Sequence, residues 1–156
     1  MASKNDKTEV VKRVAISAKR IGGEPLMAVN KIAPRCLYSG FYGALDSERV
    51  RGITDQILHN MKITDSLMVI IDLANVEVID SAVANHLINI AHTTRLFGGE
   101  TIFCGISAIV AQTMISSGVH IEEATKCKDL KFALKEVYKR LGLQLILINP
   151  AEQTYV

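Results

Sequence analysis

Two dipeptides, Asp46-Ser47 and Asp80-Ser81, each place a hydroxyl beside a carboxylate just before an apolar run with helical spacing. Aspartate is a strong helix N-cap, so each pair predicts a serine in the first turn of a helix. A serine there without a base is a poor nucleophile. Its hydroxyl is nevertheless a good place to add or remove a phosphate. A phosphoryl group carries about −1.5 to −2 charges at pH 7 and would change what docks on that surface. It would interact favourably with the helix dipole, so the helix need not unfold. Capping alone, worth about 1 kcal/mol, explains both pairs on local grounds. Phosphorylation is the functional alternative.

Other chemistries find little support. The chain has no Gly-x-x-x-x-Gly-Lys-Ser/Thr loop and no Gly-x-Gly-x-x-Gly after a strand. Gly98-Gly99 follows a helical run, where glycine ends a helix. His59, His86, His92 and His120 are scattered, and His86 and His92 are six apart, on different faces of a helix. No metal or other cofactor is expected. Ser81 lacks the Gly-x-Ser-x-Gly context of a hydrolase elbow, although spacing alone does not exclude a triad. A receiver domain needs an acidic pair after its first strand, and none follows here; Asp72 at a strand end is not enough. Cys36, Cys104 and Cys127 lack metal-type spacing and any Cys-x-x-Cys, so they read as free or buried thiols of a reducing cytosol rather than a redox pair. The chain is therefore not expected to be an enzyme.

The elements that must position the two serines follow from periodicity. Leu26–Ile32 and Cys36–Ala44 read as strands joined by a turn at Ala33-Pro34-Arg35. Asp46 caps a helix with Val50, Ile53, Ile57 and Met61 on one stripe. Leu67–Asp72 is an uninterrupted apolar strand, expected at the centre of the sheet, with a turn after it. A helix from Asp80 or Ser81 carries Val83, Leu87, Ile90 and Thr94. Thr101–Gly105 is a strand, and Ser107 caps a helix with Ile109, Ala111, Met114 and Ile115. A short strand over Glu123–Cys127 precedes a helix capped by Asp129, with Leu130, Leu134, Val137, Tyr138 and Leu141 inward. Alternating strands and helices predict an α/β fold: a mixed sheet with an N-terminal antiparallel hairpin, then parallel strands alternating with about four helices.

Length and composition fit one such domain with a real core, since 49% of the 156 residues are hydrophobic. No segment is apolar for long enough to span a bilayer, and the charged N-terminus is not a signal peptide, so a cytoplasmic location is expected. Aromatics are only 5%, which argues against stacking on nucleic-acid bases. Charge is uneven: residues 1–20 hold six Lys or Arg against Asp6 and Glu9. Residues 1–24 read as a basic extension with a helix over 9–21, residues 25–142 as the domain, and 143–156 as a further strand, Leu143–Ile148, and a tail. A basic arm can touch nucleic acid, a membrane surface or an acidic partner, or simply be a solubilising or packing extension.

The element order and Val78-Ile79-Asp80-Ser81-Ala82-Val83-Ala84 resemble the STAS domain of anti-sigma-factor antagonists and related bacterial proteins. So do Gly43-Ala44-Leu45-Asp46-Ser47-Glu48-Arg49 and Gly98-Gly99-Glu100 followed by Gly105-Ile106-Ser107-Ala108-Ile109-Val110-Ala111-Gln112-Thr113. Ordinary antagonists carry Asp-Ser-Ser-Gly at the acceptor; Asp80-Ser81-Ala82-Val83-Ala84 is similar to the stressosome form of the RsbR and RsbS types. The resemblance implies a non-enzymatic scaffold that self-associates into a large complex with RsbR-type sensors or RsbS-type paralogues. It would sequester an RsbT-type serine/threonine kinase and release it on phosphorylation, with a PP2C-type phosphatase to reset it. It implies Ser81 as acceptor and Ser47 as a second one, 34 residues earlier. Asp80 would shape the acceptor turn, and Asp46 and Asn75 would line the same partner-binding face. The sensor type usually has Thr at both acceptor positions and a full N-terminal sensory domain. Ser81 and the short chain favour the scaffold type, while Leu45–Arg49 favours the sensor type. The alternative within the family is an antagonist that binds one anti-sigma kinase as a small soluble protein.

Overall fold

The structure, a computed structural model, describes residues 29–122, 124–144 and 146. Five strands form one mixed sheet in the order β1-β2-β3-β4-β5: Val29–Ala33, Cys36–Ala44, Met68–Val78, Glu100–Cys104 and Thr125–Cys127. β1 and β2 are the expected antiparallel hairpin, and every later neighbour is parallel. Four helices alternate with the strands: α1 (Ser47–Thr64), α2 (Ser81–Leu96), α3 (Ala108–Ser116) and α4 (Leu130–Arg140). The helix expected over 9–21 lies outside the described residues, as do residues 145, 147 and 148 of the strand expected over 143–148; Leu143, Gln144 and Ile146 of that stretch are not in a strand.

The sheet has two unequal faces. Leu37, Phe41, Val69, Ile71, Leu73 and Phe103 point to one, where Val50, Ile53, Ile57 and Met61 of α1 and Val83, Leu87 and Ile90 of α2 bury them. Both stripes are those the spacing predicts. Burying one such aliphatic side chain contributes roughly 1.5–3 kcal/mol, so this layer holds the helix starts in place. On the other face Cys36, Ile70, Ile102 and Cys104 pack against Ala133 and Val137 of α4.

Two further expectations change. β3 does not turn after Asp72 but runs on to Val78, because Leu73 and Val76 stay buried while the strand keeps pairing with Tyr42, Gly43 and Ala44. Two register shifts along β2–β3 each add one residue to β3, so the partner offset grows from Cys36↔Met68 to Ala44↔Val78, from 32 to 34 positions. In α3 the buried residues are Val110 and Met114, while Ile109 and Ile115 are 63% and 74% exposed. A helix of nine residues has too few turns for its apolar set to define one face unambiguously.

Candidate functional site

The extended β3 decides where the serines lie. Ala44 and Val78 are register partners at the C-terminal ends of two adjacent parallel strands, and the Leu45 N–H donates to the Val78 carbonyl at 3.5 Å. Two residues after each strand end comes the cap aspartate, and one residue later the serine. The 34-residue offset of the strand ends is therefore also the offset of Asp46 from Asp80 and of Ser47 from Ser81. The sheet brings both helix starts to one edge.

Each start is capped as expected. Asp46 has extended backbone, and its Oδ1 accepts from the Arg49 N–H at 2.9 Å. Asp80 is likewise extended, and its Oδ1 accepts from the Val83 N–H at 2.7 Å. Ser47 and Ser81 are the first helical residues; Ser81 is exposed and Ser47 half-buried. Asn75 is exposed on the last stretch of β3, in register with half-exposed Tyr42 on the same edge. Val78, at the strand end, is also half-exposed and adds apolar surface there.

The two starts differ in their neighbours. At α1 the Arg49 guanidinium lies 3.6 Å from Asp46 Oδ2 and donates to the Ala44 carbonyl at 3.4 Å. Among the described residues the Ser47 hydroxyl makes no hydrogen bond. At α2 the Ser117 hydroxyl, 36 residues away, donates to Ser81 Oγ at 2.9 Å. Ser117 is the C-cap of α3. Since α3 begins just beyond β4 and ends against the start of α2, both of its ends lie at the C-terminal edge of the sheet. Gly105 makes that course possible. Its φ is +68°, and a Cβ there would stand 2.7 Å from the Ala74 backbone nitrogen. The sequence signals α3's end through Gly118 but says nothing about which element Ser117 meets.

Asp72 and the buried cysteines offer no further reactive group. Asp72 is buried, accepting from the Tyr38 hydroxyl at 3.3 Å and from the Ala74 N–H at 3.0 Å, so it is no exposed acceptor. Burial pushes the Cys36 and Cys104 thiols up to about 12, which keeps them protonated and unreactive at neutral pH. Among the described residues no group of three or more His, Cys, Asp or Glu could hold a metal ion, and no helix is long and apolar enough to cross a membrane.

The family model of the STAS domain matches residues 28–129. The RsbT co-antagonist protein RsbRA of Bacillus subtilis (strain 168) is 32% identical over 107 residues, which cover 69% of this chain and 39% of RsbRA. The chain thus spans well under half of that relative. An RsbS variant from Moorella thermoacetica superposes with a TM-score of 0.66 at 22% identity, over 75% of this chain and 98% of RsbS. A chain of the stressosome, described as a signal integration and transduction hub, gives 0.58 at 24% identity, over 75% of this chain and all of that one. Both superpositions establish a shared fold.

Proposed function

The chain belongs to the STAS domain family, and on that premise we propose that it is a non-enzymatic, phospho-regulated scaffold of a stressosome-type complex. In this reading it holds an RsbT-type serine/threonine kinase and releases it when Ser81 is phosphorylated, with RsbR- or RsbS-type relatives as assembly partners and a PP2C-type phosphatase restoring the unmodified state. The relative RsbRA is an RsbT co-antagonist by name, which supports the choice of kinase. The observation that carries the reading is the exposed Ser81 hydroxyl at the capped start of α2, on the sheet edge it shares with Ser47, Asp46 and Asn75. A phosphate there would place charge on the surface a partner contacts, beside Val78 and Tyr42, without dismantling the fold. Ser47 is the secondary acceptor: it occupies the equivalent place at α1 but is half-buried.

The test is phosphorylation by the cognate kinase with ATP, read by intact mass and peptide mapping. Wild type gains a phosphate at Ser81, Ser81→Ala gains none there, and Ser47→Ala keeps most of the signal. Undiminished modification of Ser81→Ala would sink the assignment.

A further inference from the structure

We propose that Ser117 is the intramolecular ligand of the Ser81 phosphoryl group and sets how long the phosphorylated state lasts. The inference rests on Ser81 as acceptor and concerns what the rest of the fold does once the phosphate is present.

In the unmodified chain the single Ser117 hydroxyl proton is shared. Ser117 Oγ lies 2.9 Å from Ser81 Oγ and 2.7 Å from the Thr113 carbonyl oxygen. Phosphorylation changes the acceptors. Ser81 Oγ becomes an ester oxygen and loses its own proton, while anionic phosphoryl oxygens arrive on the atom next to it. Hydrogen bonds to an ionised acceptor are shorter and about twice as strong as neutral ones. Ser117 then turns its proton from Thr113 to the phosphate.

That turn costs α3 little. The Thr113 carbonyl keeps the Ser117 backbone N–H at 3.0 Å and the Ser116 hydroxyl at 3.1 Å, so it is not left unsatisfied. The donor is also fixed in place. Ser117 ends a helix whose inner face is anchored by buried Val110 and Met114, and its approach depends on the packed Gly105 turn. A donor already held within reach avoids most of the ordering cost of recruiting one. At Ser47 no hydroxyl or amide from another element within the described residues stands in this place. Arg49, two residues on from Ser47, is already engaged with Asp46 and Ala44. The two acceptors would therefore differ in the lifetime of the modification even if the kinase modified both.

The experiment uses the full chain with phosphoserine installed at position 81 by codon suppression, so it does not depend on any kinase. In ³¹P NMR titrations, loss of the donor in Ser117→Ala raises the second phosphate pKa relative to the otherwise identical Ser117 protein. Ser117→Thr, which keeps the hydroxyl, restores it. A PP2C-type phosphatase removes the phosphate roughly 3- to 10-fold faster from Ser117→Ala, the range expected for losing one exposed charge-assisted hydrogen bond. Equal titration curves and equal removal rates in all three proteins would overturn the inference. A Ser117→Ala titration change that Ser117→Thr fails to reverse would also overturn it, since the effect would then come from altered packing. Failure of the cognate kinase to modify Ser81 in wild type would overturn the proposed function and leave this result standing.

Discussion

The starts of α1 and α2 share the same local chemistry: an extended aspartate cap, a serine at the first helical position, and a parallel strand ending two residues before the cap. Their surroundings differ. At α1 the cap aspartate bonds the Arg49 N–H and pairs with its guanidinium, which also reaches the Ala44 carbonyl, and among the described residues no second element hydrogen-bonds the Ser47 hydroxyl. At α2 a helix from 36 residues away reaches across the sheet edge to the serine itself. A serine that no second element hydrogen-bonds lacks that direct route for passing a modification on, whereas Ser81, tied to α3 through Ser117, has one. Equivalent caps therefore need not be equivalent switches.

The most destructive way to break this contrast is through the turns that lead into the two regions. Gly43 and Gly105 both have positive φ, near +70°. A Cβ at Gly43 meets nothing within 4 Å, while one at Gly105 collides with Cβ, N and Cα of Ala74 at 2.7–2.8 Å. Gly43→Ala should cost only the left-handed strain, about 1 kcal/mol. Gly105→Ala adds an overpacked backbone contact and should cost roughly 2–4 kcal/mol. Urea titration of both variants measures the difference. Equal midpoints would mean that the loop guiding α3 is not tightly seated.

Much of this was legible in the sequence. The stripes Val50-Ile53-Ile57-Met61 and Val83-Leu87-Ile90-Thr94 are buried as their spacing requires, because long helices repeat a pattern often enough to fix a face. The caps at Asp46, Asp80, Ser107 and Asp129 hold as expected, because capping is local. What was illegible is non-local. The continuation of β3 to Val78 depends on pairing with β2 through two bulges, one at Leu73-Ala74 and one at Glu77, and no local signal marks a bulge at residues of these types. The inner face of α3 and the approach of Ser117 to Ser81 are set by how a nine-residue helix lies across the edge.

A middle-sized effect separates cap from charge. Asp46→Ala and Asp80→Ala each remove an N-cap acceptor and should each lower stability by about 1 kcal/mol. Asn retains the capping oxygen, so Asp80→Asn should recover most of that loss. Asp46→Asn should recover it less completely, because it also gives up the Arg49 pair, an exposed contact worth about 0–1 kcal/mol. Thermal melts of the four variants give the comparison. Full recovery at both positions would show that the Arg49 pair contributes nothing.

The smallest expected difference comes from a negative charge placed at each serine. A carboxylate in the first turn gains about 0.3–1 kcal/mol from the helix dipole. In Ser47→Glu this adds to the nearby Arg49 guanidinium, which offsets repulsion from Asp46. In Ser81→Glu the Asp80 carboxylate is the immediate neighbour, and the hydroxyl that Ser117 contacts is lost. Ser47→Glu should therefore be neutral or slightly stabilising. Ser81→Glu should lie below it by about 0.5 kcal/mol, the size of one weak surface charge pair. The charge part of that gap should shrink at about 0.5 M salt, where screening falls within a few ångströms, while the part due to the lost Ser117 contact should persist. A gap that vanishes in salt would make the two starts differ only in charge, and the contact between α3 and Ser81 would carry no stability of its own.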